Sequence, residues 1–163
     1  MLNRIYAESG QESVRNPIVV DVNKRNVGRT PKSGFTPPII VIDGSGSMKG
    51  QRLAETKASA INFVHLLPGN VDVGVIEFGS RANTLLDSST DQIQVINAIN
   101  SVEAKGDTTL YDAVNRALDI AKDPLHSRIV LISDGKDTTS TSSLASTLAR
   151  LKVDGVPLDV IAI

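Results

Sequence analysis

The chain has no cysteine and no tryptophan, only two histidines, and aromatic residues make up 3% of its 163 positions. Each scarcity removes a class of function. Without cysteine there is neither a disulfide framework nor a thiolate metal site. That fits a cytosolic protein or a disulfide-free secreted bacterial one and does not choose between them. Few aromatics leave little for base stacking, and a formal net charge of −1 offers no attraction to a phosphate backbone. Nucleic acid is therefore not an expected partner. No apolar run reaches the roughly 18 to 20 residues of a membrane span, and residues 1–16 are too polar for a signal peptide's apolar region. No direct membrane span is expected in this chain, although an excised domain would leave a targeting segment or anchor outside it. What remains, 40% hydrophobic and 21% charged residues, suffices for one domain with a core.

The chain is organised around Asp43-Gly44-Ser45-Gly46-Ser47-Met48. This stretch follows the apolar run Ile39-Ile40-Val41-Ile42 and precedes a helix-period segment, so it reads as the loop at the carboxyl end of a buried strand. Open α/β sheets bind ligands there. One carboxylate and two hydroxyls alternate with glycines that allow a sharp turn, an oxygen-rich cup suited to a hard divalent cation. A glycine-rich strand-to-helix turn also cradles phosphate. Here the spacing Gly44-x-Gly46-x-x-x-Gly50 is one residue longer than the dinucleotide fingerprint, Asp43 opposes a pyrophosphate, and no Gly-Lys-Ser/Thr follows. Further oxygens for a metal come from Gly106-Asp107-Thr108-Thr109-Leu110 and Leu131-Ile132-Ser133-Asp134-Gly135.

The elements between these loops alternate. Gln51 to Leu67 has the period of a helix with Ala54, Ala58, Ile61 and Val64 inward, closed by Pro68-Gly69-Asn70. Val71 to Phe78 reads as a buried strand, and Ala82 to Asp87 as an antiparallel edge strand beside it. Asp91 to Val102 is a helix with Ile93, Ile96 and Ile99 inward. Leu110, Ala113, Val114, Ala117, Leu118 and Ala121 form a helical stripe, which Asp107, Thr108 and Thr109 precede as capping residues. Ser127 to Ser133 is a central strand, Leu144, Leu148 and Leu151 mark another helix, and Pro157 to Ile163 is a parallel strand. Residues 1–36 form an N-terminal extension with one strand at Ile18 to Val22. Its basic stretch Asn23 to Phe35 (Lys24, Arg25, Arg29, Lys32) reads as a solvated face, or more sharply as a contact for an acidic partner or membrane surface.

With three separated oxygen-bearing segments in order, the chain over residues 37–163 resembles the von Willebrand factor type A domain and its metal-ion-dependent adhesion site. The resemblance implies a three-layer, Rossmann-like α/β fold: a mostly parallel sheet with one antiparallel edge strand and helices on both faces. It implies an Mg²⁺ site, with Mn²⁺ or Ca²⁺ as substitutes, in which Ser45, Ser47 and Thr108 are hydroxyl ligands and Asp43 and Asp134 act mainly through bound water. It also implies a final strand and helix that this chain lacks. Either the chain is an excised piece, or Ile18 to Val22 fills the edge so left open, or a partner covers it, and an uncapped apolar edge favours a homo-oligomer. Many relatives carry a glycine where this chain has Asp107, which brings a further negative charge near the ion.

The function the resemblance implies is capture of a protein ligand bearing a carboxylate, which completes the ion's coordination shell. An assembly module of a bacterial secretion or pilus system, whose metal only stabilises its own loops, is the alternative, and the wording around the loops favours an extracytoplasmic or cell-surface location. An Mg²⁺-dependent hydrolase is less favoured. His65 falls in a helix and His126 before a strand, so neither has a place as a general base, and there is no nucleophile elbow. The chain is thus expected not to be an enzyme. Asp112 reads as a helix-start carboxylate, and Asp137 equally as a neighbour of the site or a surface residue.

Overall fold

The computed structural model describes Ile5–Ala7, Ile18–Val20 and residues 36–163. The basic stretch 23–35 and most of the N-terminal extension lie outside the described residues. Strands β1 (Ile5–Ala7) and β2 (Ile18–Val20) pair antiparallel, so the strand expected at Ile18 to Val22 pairs with β1. From residue 38 onward come β3 (Pro38–Asp43), α1 (Gln51–Leu66), β4 (Val73–Phe78), β5 (Ala82–Ser89), α2 (Gln92–Ser101), α3 (Leu110–Ile120), β6 (Arg128–Ser133), α4 (Leu144–Asp154) and β7 (Leu158–Ala162).

Five of these strands form one sheet in the order β5-β4-β3-β6-β7. All pairings in it are parallel except that of β5 with β4, as expected for an antiparallel edge. Every residue of β3 is buried, because both of its faces are covered by helices, as in parallel sheets generally. Ile39 and Val41 pack with Phe78 and Leu131 against α3 and α4 through Ala113, Ala117 and Leu151. Ile40 and Ile42 face the other way, onto Val64 of α1 and Val95 and Ile99 of α2. The result is a three-layer, mostly parallel α/β fold of the Rossmann-like kind.

The topology sets the site. After β3 the chain moves outward to β4 and β5, then returns through α2 and α3 to lay β6 on the opposite side of β3. The carboxyl end of β3 is therefore the point where the strand order reverses, and the loops that leave it diverge and open a crevice.

Two helices sit in a different phase from the sequence expectation. In α1 the buried residues are Leu53, Thr56, Ala60 and Val64, whereas Ala54 and Ala58 are exposed. In α2 they are Val95 and Ile99, while Ile93 is 71% exposed. Asp91 caps α2 by accepting the N–H groups of Ile93 and Gln94, which places Ile93 in the first turn, on the outer face. The strand expected from Val71 begins at Val73, and Val71 is buried in the turn before it.

Candidate functional site

Asp43 ends β3 and is fully buried. Its Oδ1 accepts the N–H of Ser45 at 2.8 Å, and its Oδ2 accepts the hydroxyl of Ser133 from the end of neighbouring β6. Among the described residues no ion pair reaches Asp43. A carboxylate removed from water with only neutral donors around it is costly, and a bound cation offsets that cost.

Gly44 lets the loop close tightly. Its N–H donates to Phe78 O and its carbonyl accepts Lys105 N–H, each at 2.7 Å. A Cβ here would lie 2.7 Å from the carbonyl oxygen of Glu103. Gly106 adopts φ 78°, a left-handed conformation that glycine tolerates; its carbonyl accepts Gly46 N–H at 2.9 Å. Those bonds fasten the first loop to the second.

The third loop is tied to both. Ser45 Oγ and Ser47 Oγ are 2.9 Å apart, and Ser47 Oγ donates to Asp134 Oδ1 at 2.8 Å. Thr108, 7% exposed, donates its N–H to Thr138 Oγ1 at 3.0 Å and accepts Thr138 N–H at 2.8 Å. All three loops are thus bonded pairwise at the carboxyl edge of the sheet. The side-chain oxygens of Ser45, Ser47 and Asp134 are linked in sequence, Asp43 joins them through the Ser45 N–H, and Thr108 sits on the adjoining loop.

Residues 137–143 brace this arrangement. Capping of α3 falls to Asp137, which accepts Tyr111 N–H at 3.2 Å, and to Ser140, which accepts Asp112 N–H at 3.1 Å. It does not fall to Thr109, whose hydroxyl donates to Gly79 O at 2.9 Å. Asp137 is therefore a brace for α3 and for the turn to Ser140. Asp112 in turn accepts the N–H groups of Thr141 and Ser142 at 2.8 and 2.9 Å. Burial alone would raise its carboxyl pKa, but the hydrogen bonds from Thr141 and Ser142 outweigh it and hold the group below the ordinary carboxylate value. Asp107 is exposed, and its N–H donates to Ser80 Oγ at 3.0 Å. Beside the loops, the hydrogen bond from Lys105 to Glu103 raises the lysine's pKa.

Sequence reasoning did not find two of the side chains here. Ser133 bridges Asp43 and the N–H of Gly135, and its position one residue before Asp134 was the available clue. Arg52, in the first turn of α1, places Nη1 2.5 Å from Asp134 Oδ2. Neither histidine is near: His65 is in the last turn of α1, remote from the loop that precedes it, and His126 meets Asp123 before β6 begins. Among the described residues no group of three or more His, Cys, Asp or Glu side chains converges. The oxygen donors at this edge are hydroxyls and two carboxylates, a set that fits a hard cation such as Mg²⁺ rather than a softer metal.

Comparison with known proteins agrees with this architecture. A UPF0353 protein of Mycobacterium avium is 30% identical over 145 residues, covering 76% of this chain and 43% of that protein. The chain thus spans less than half the length of the curated relatives it matches. Among solved structures, the conserved hypothetical protein BatB from Bacteroides thetaiotaomicron superposes with a TM-score of 0.68 at 25% identity, over 78% of this chain and 66% of that one. The vWF domain of the type V pili tip protein Mfa5 from Porphyromonas gingivalis gives 0.57 at 24% identity, over 68% of this chain and 43% of that one. The family model for the von Willebrand factor type A domain matches residues 39–136, from the start of β3 through the Asp134 loop, and this chain belongs to that family.

Proposed function

We propose that the three loops hold one divalent ion, Mg²⁺ or Mn²⁺ with Ca²⁺ as a substitute, and that the chain binds a protein partner through it. Ser45, Ser47 and Thr108 would supply hydroxyl oxygens, and Asp43 and Asp134 carboxylates acting mainly through water. The observation that carries this reading is Asp43, fully buried, reached by no ion pair among the described residues, and surrounded by hydroxyl and N–H donors. When bound, such an ion offers an electrophilic coordination position to a partner's carboxylate. The chain's own part is to hold the oxygens together: Ser133 and the Ser45 N–H fix Asp43, Gly44 and Gly106 lock the loops, and Ser47 spans to Asp134. On this reading the chain is a binding module rather than an enzyme, since its two histidines lie away from the loops.

Its test is thermal unfolding in EDTA and then in Mg²⁺, on this chain and on Asp43→Asn. For a dissociation constant of about 1 mM, about 10 mM Mg²⁺ adds roughly 1.4 kcal/mol, a rise of a few degrees. The rise should appear in the native chain and be absent from Asp43→Asn. No ion-dependent rise in either would count against the site.

A second reading, an assembly module whose ion only stabilises its own loops, is favoured by Arg52, which already supplies Asp134 with a cation. Likeness to a pilus tip domain supports both readings and an extracytoplasmic setting. Asp134→Asn separates them: partner binding falls under the first and is retained under the second. Among the described residues no helix is long and apolar enough to cross a membrane. Self-association through β7, an edge strand with Ile161 49% exposed, is a separate expectation that a monomeric sedimentation profile would contradict.

A further inference from the structure

Arg52 lies where a cation is locally disfavoured. It is the second residue of α1, and the positive end of a helix dipole repels a guanidinium there. Helical side chains lean toward the N-terminus, so this position aims Arg52 back over the Asp43–Met48 loop. Its partner is Asp134, 82 residues away, and the contact of 2.5 Å offsets the local conflict. Both oxygens of Asp134 are then engaged, Oδ1 by the Ser47 hydroxyl and Oδ2 by Arg52. The two partners differ sharply in exposure: the Asp134 side chain is 3% exposed and the Arg52 side chain 58%. Asp134 is fixed in the site, whereas Arg52 reaches in from solvent and can withdraw without desolvation cost.

We propose that Arg52 is a tethered cation that occupies Asp134 in the ion-free protein and leaves it when a divalent ion enters, so that filling the site frees a guanidinium at its rim. The inference rests on the reading of these loops as a divalent-ion centre. Two consequences follow from charge. In the ion-free state Arg52 neutralises one of the site's two carboxylates, which lets the loops stay closed before any ion arrives. Once displaced, the guanidinium stands beside the ion with five donors in a planar fork that matches a carboxylate. An acidic group on a partner then meets Arg52 as well as the ion. Arg52 thereby weakens the ion when it binds alone and favours it when an acidic group binds with it.

The experiment is an Mg²⁺ titration of the ¹⁵N-labelled chain and of Arg52→Gln, following the guanidinium Nη resonances of Arg52 together with the backbone amides of the three loops. A guanidinium held by a carboxylate rotates slowly and gives separate Nη resonances, whereas a free one averages. The resonances assigned to Arg52, absent from the variant, should be resolved without Mg²⁺ and collapse over the range in which the loop amides shift. Loss of an exposed ion-pair competitor should tighten Mg²⁺ binding in Arg52→Gln by roughly two- to fivefold. The inference is overturned, with the ion site intact, if Mg²⁺ saturates the loops while the Arg52 resonances persist, if they are already averaged without Mg²⁺, or if Arg52→Gln binds no tighter. Absence of saturable Mg²⁺ binding in both chains overturns the ion site and the inference together.

Discussion

Ser47 donates its hydroxyl to Asp134 at 2.8 Å although 87 residues separate them in the chain. The bond joins the loop after β3 to the loop after β6, and so joins the two sides of the point where the strand order reverses. Ser47 is exposed, whereas Asp43 is fully buried. Binding and stability should therefore separate. Ser47→Ala should lose Mg²⁺-dependent stabilisation while lowering ion-free stability by less than about 1 kcal/mol. Asp43→Ala should lose both, with about 1–3 kcal/mol of ion-free stability removed because the Ser45 N–H loses its acceptor and the Ser133 hydroxyl keeps only the Gly135 carbonyl, at 3.5 Å. Urea unfolding in EDTA and in Mg²⁺ measures both quantities.

Gly44→Ala tests the closeness of the loops. A Cβ there would meet Glu103 O at 2.7 Å, and that oxygen is backbone. The strand end or the 103–105 segment must shift, at a cost of about 1–3 kcal/mol. The shift should also weaken ion-dependent stabilisation, since Gly44 bonds to Phe78 and Lys105 on both sides. An unchanged urea midpoint would mean that the loops yield easily.

The Asp112 clamp gives a pH dependence. Its carboxyl is held below its ordinary value in the fold by Thr141 and Ser142. A depressed carboxylate contributes stability that is present above the unfolded pKa of about 3.9 and is lost as pH falls through the folded value. Asp112→Asn should thus be less stable than the native chain at pH 7, by less than about 1 kcal/mol because solvent screens the partly exposed carboxylate. The gap should narrow as pH falls below about 4. A gap that stays constant from pH 7 to pH 3 would contradict the clamp.

Thr56 offers the opposite sign. It is 1% exposed on the inner face of α1, and its hydroxyl has no hydrogen-bond partner among the described residues. Thr56→Val keeps the shape and removes a buried polar group, so it should raise stability by about 1 kcal/mol. A loss of similar size in a urea titration would show that the hydroxyl is satisfied.

Much of this architecture is legible in the sequence, for local reasons. Strands β3 and β6 are continuous apolar runs, the stripe from Ala113 to Leu118 has one helical phase, and the Asp43 and Asp134 loops each close one of those runs. The phase of α1 is not legible, because Leu53, Ala54, Ala58 and Ala60 satisfy two stripes a short rotation apart and only the sheet selects Leu53. The exposure of Ile93 follows from where Asp91 caps α2. Long-range bonds carry no local pattern at all. Tyr111 meets Asp137 26 residues on, and Arg52 meets Asp134 82 residues on. These bonds close the candidate site, and hydrophobic periodicity does not encode them.

The most direct measurement of the central claim is water-proton relaxation with Mn²⁺ as the probe, on this chain and on Asp43→Asn. An ion held by Ser45, Ser47, Thr108, Asp43 and Asp134 with an open position keeps exchangeable water, so relaxation should be enhanced saturably by the native chain and not by Asp43→Asn. A short glutamate-bearing peptide, by taking that position, should reduce the enhancement. Equal enhancement in both chains, or none in the native chain, would contradict an ion centre at these loops.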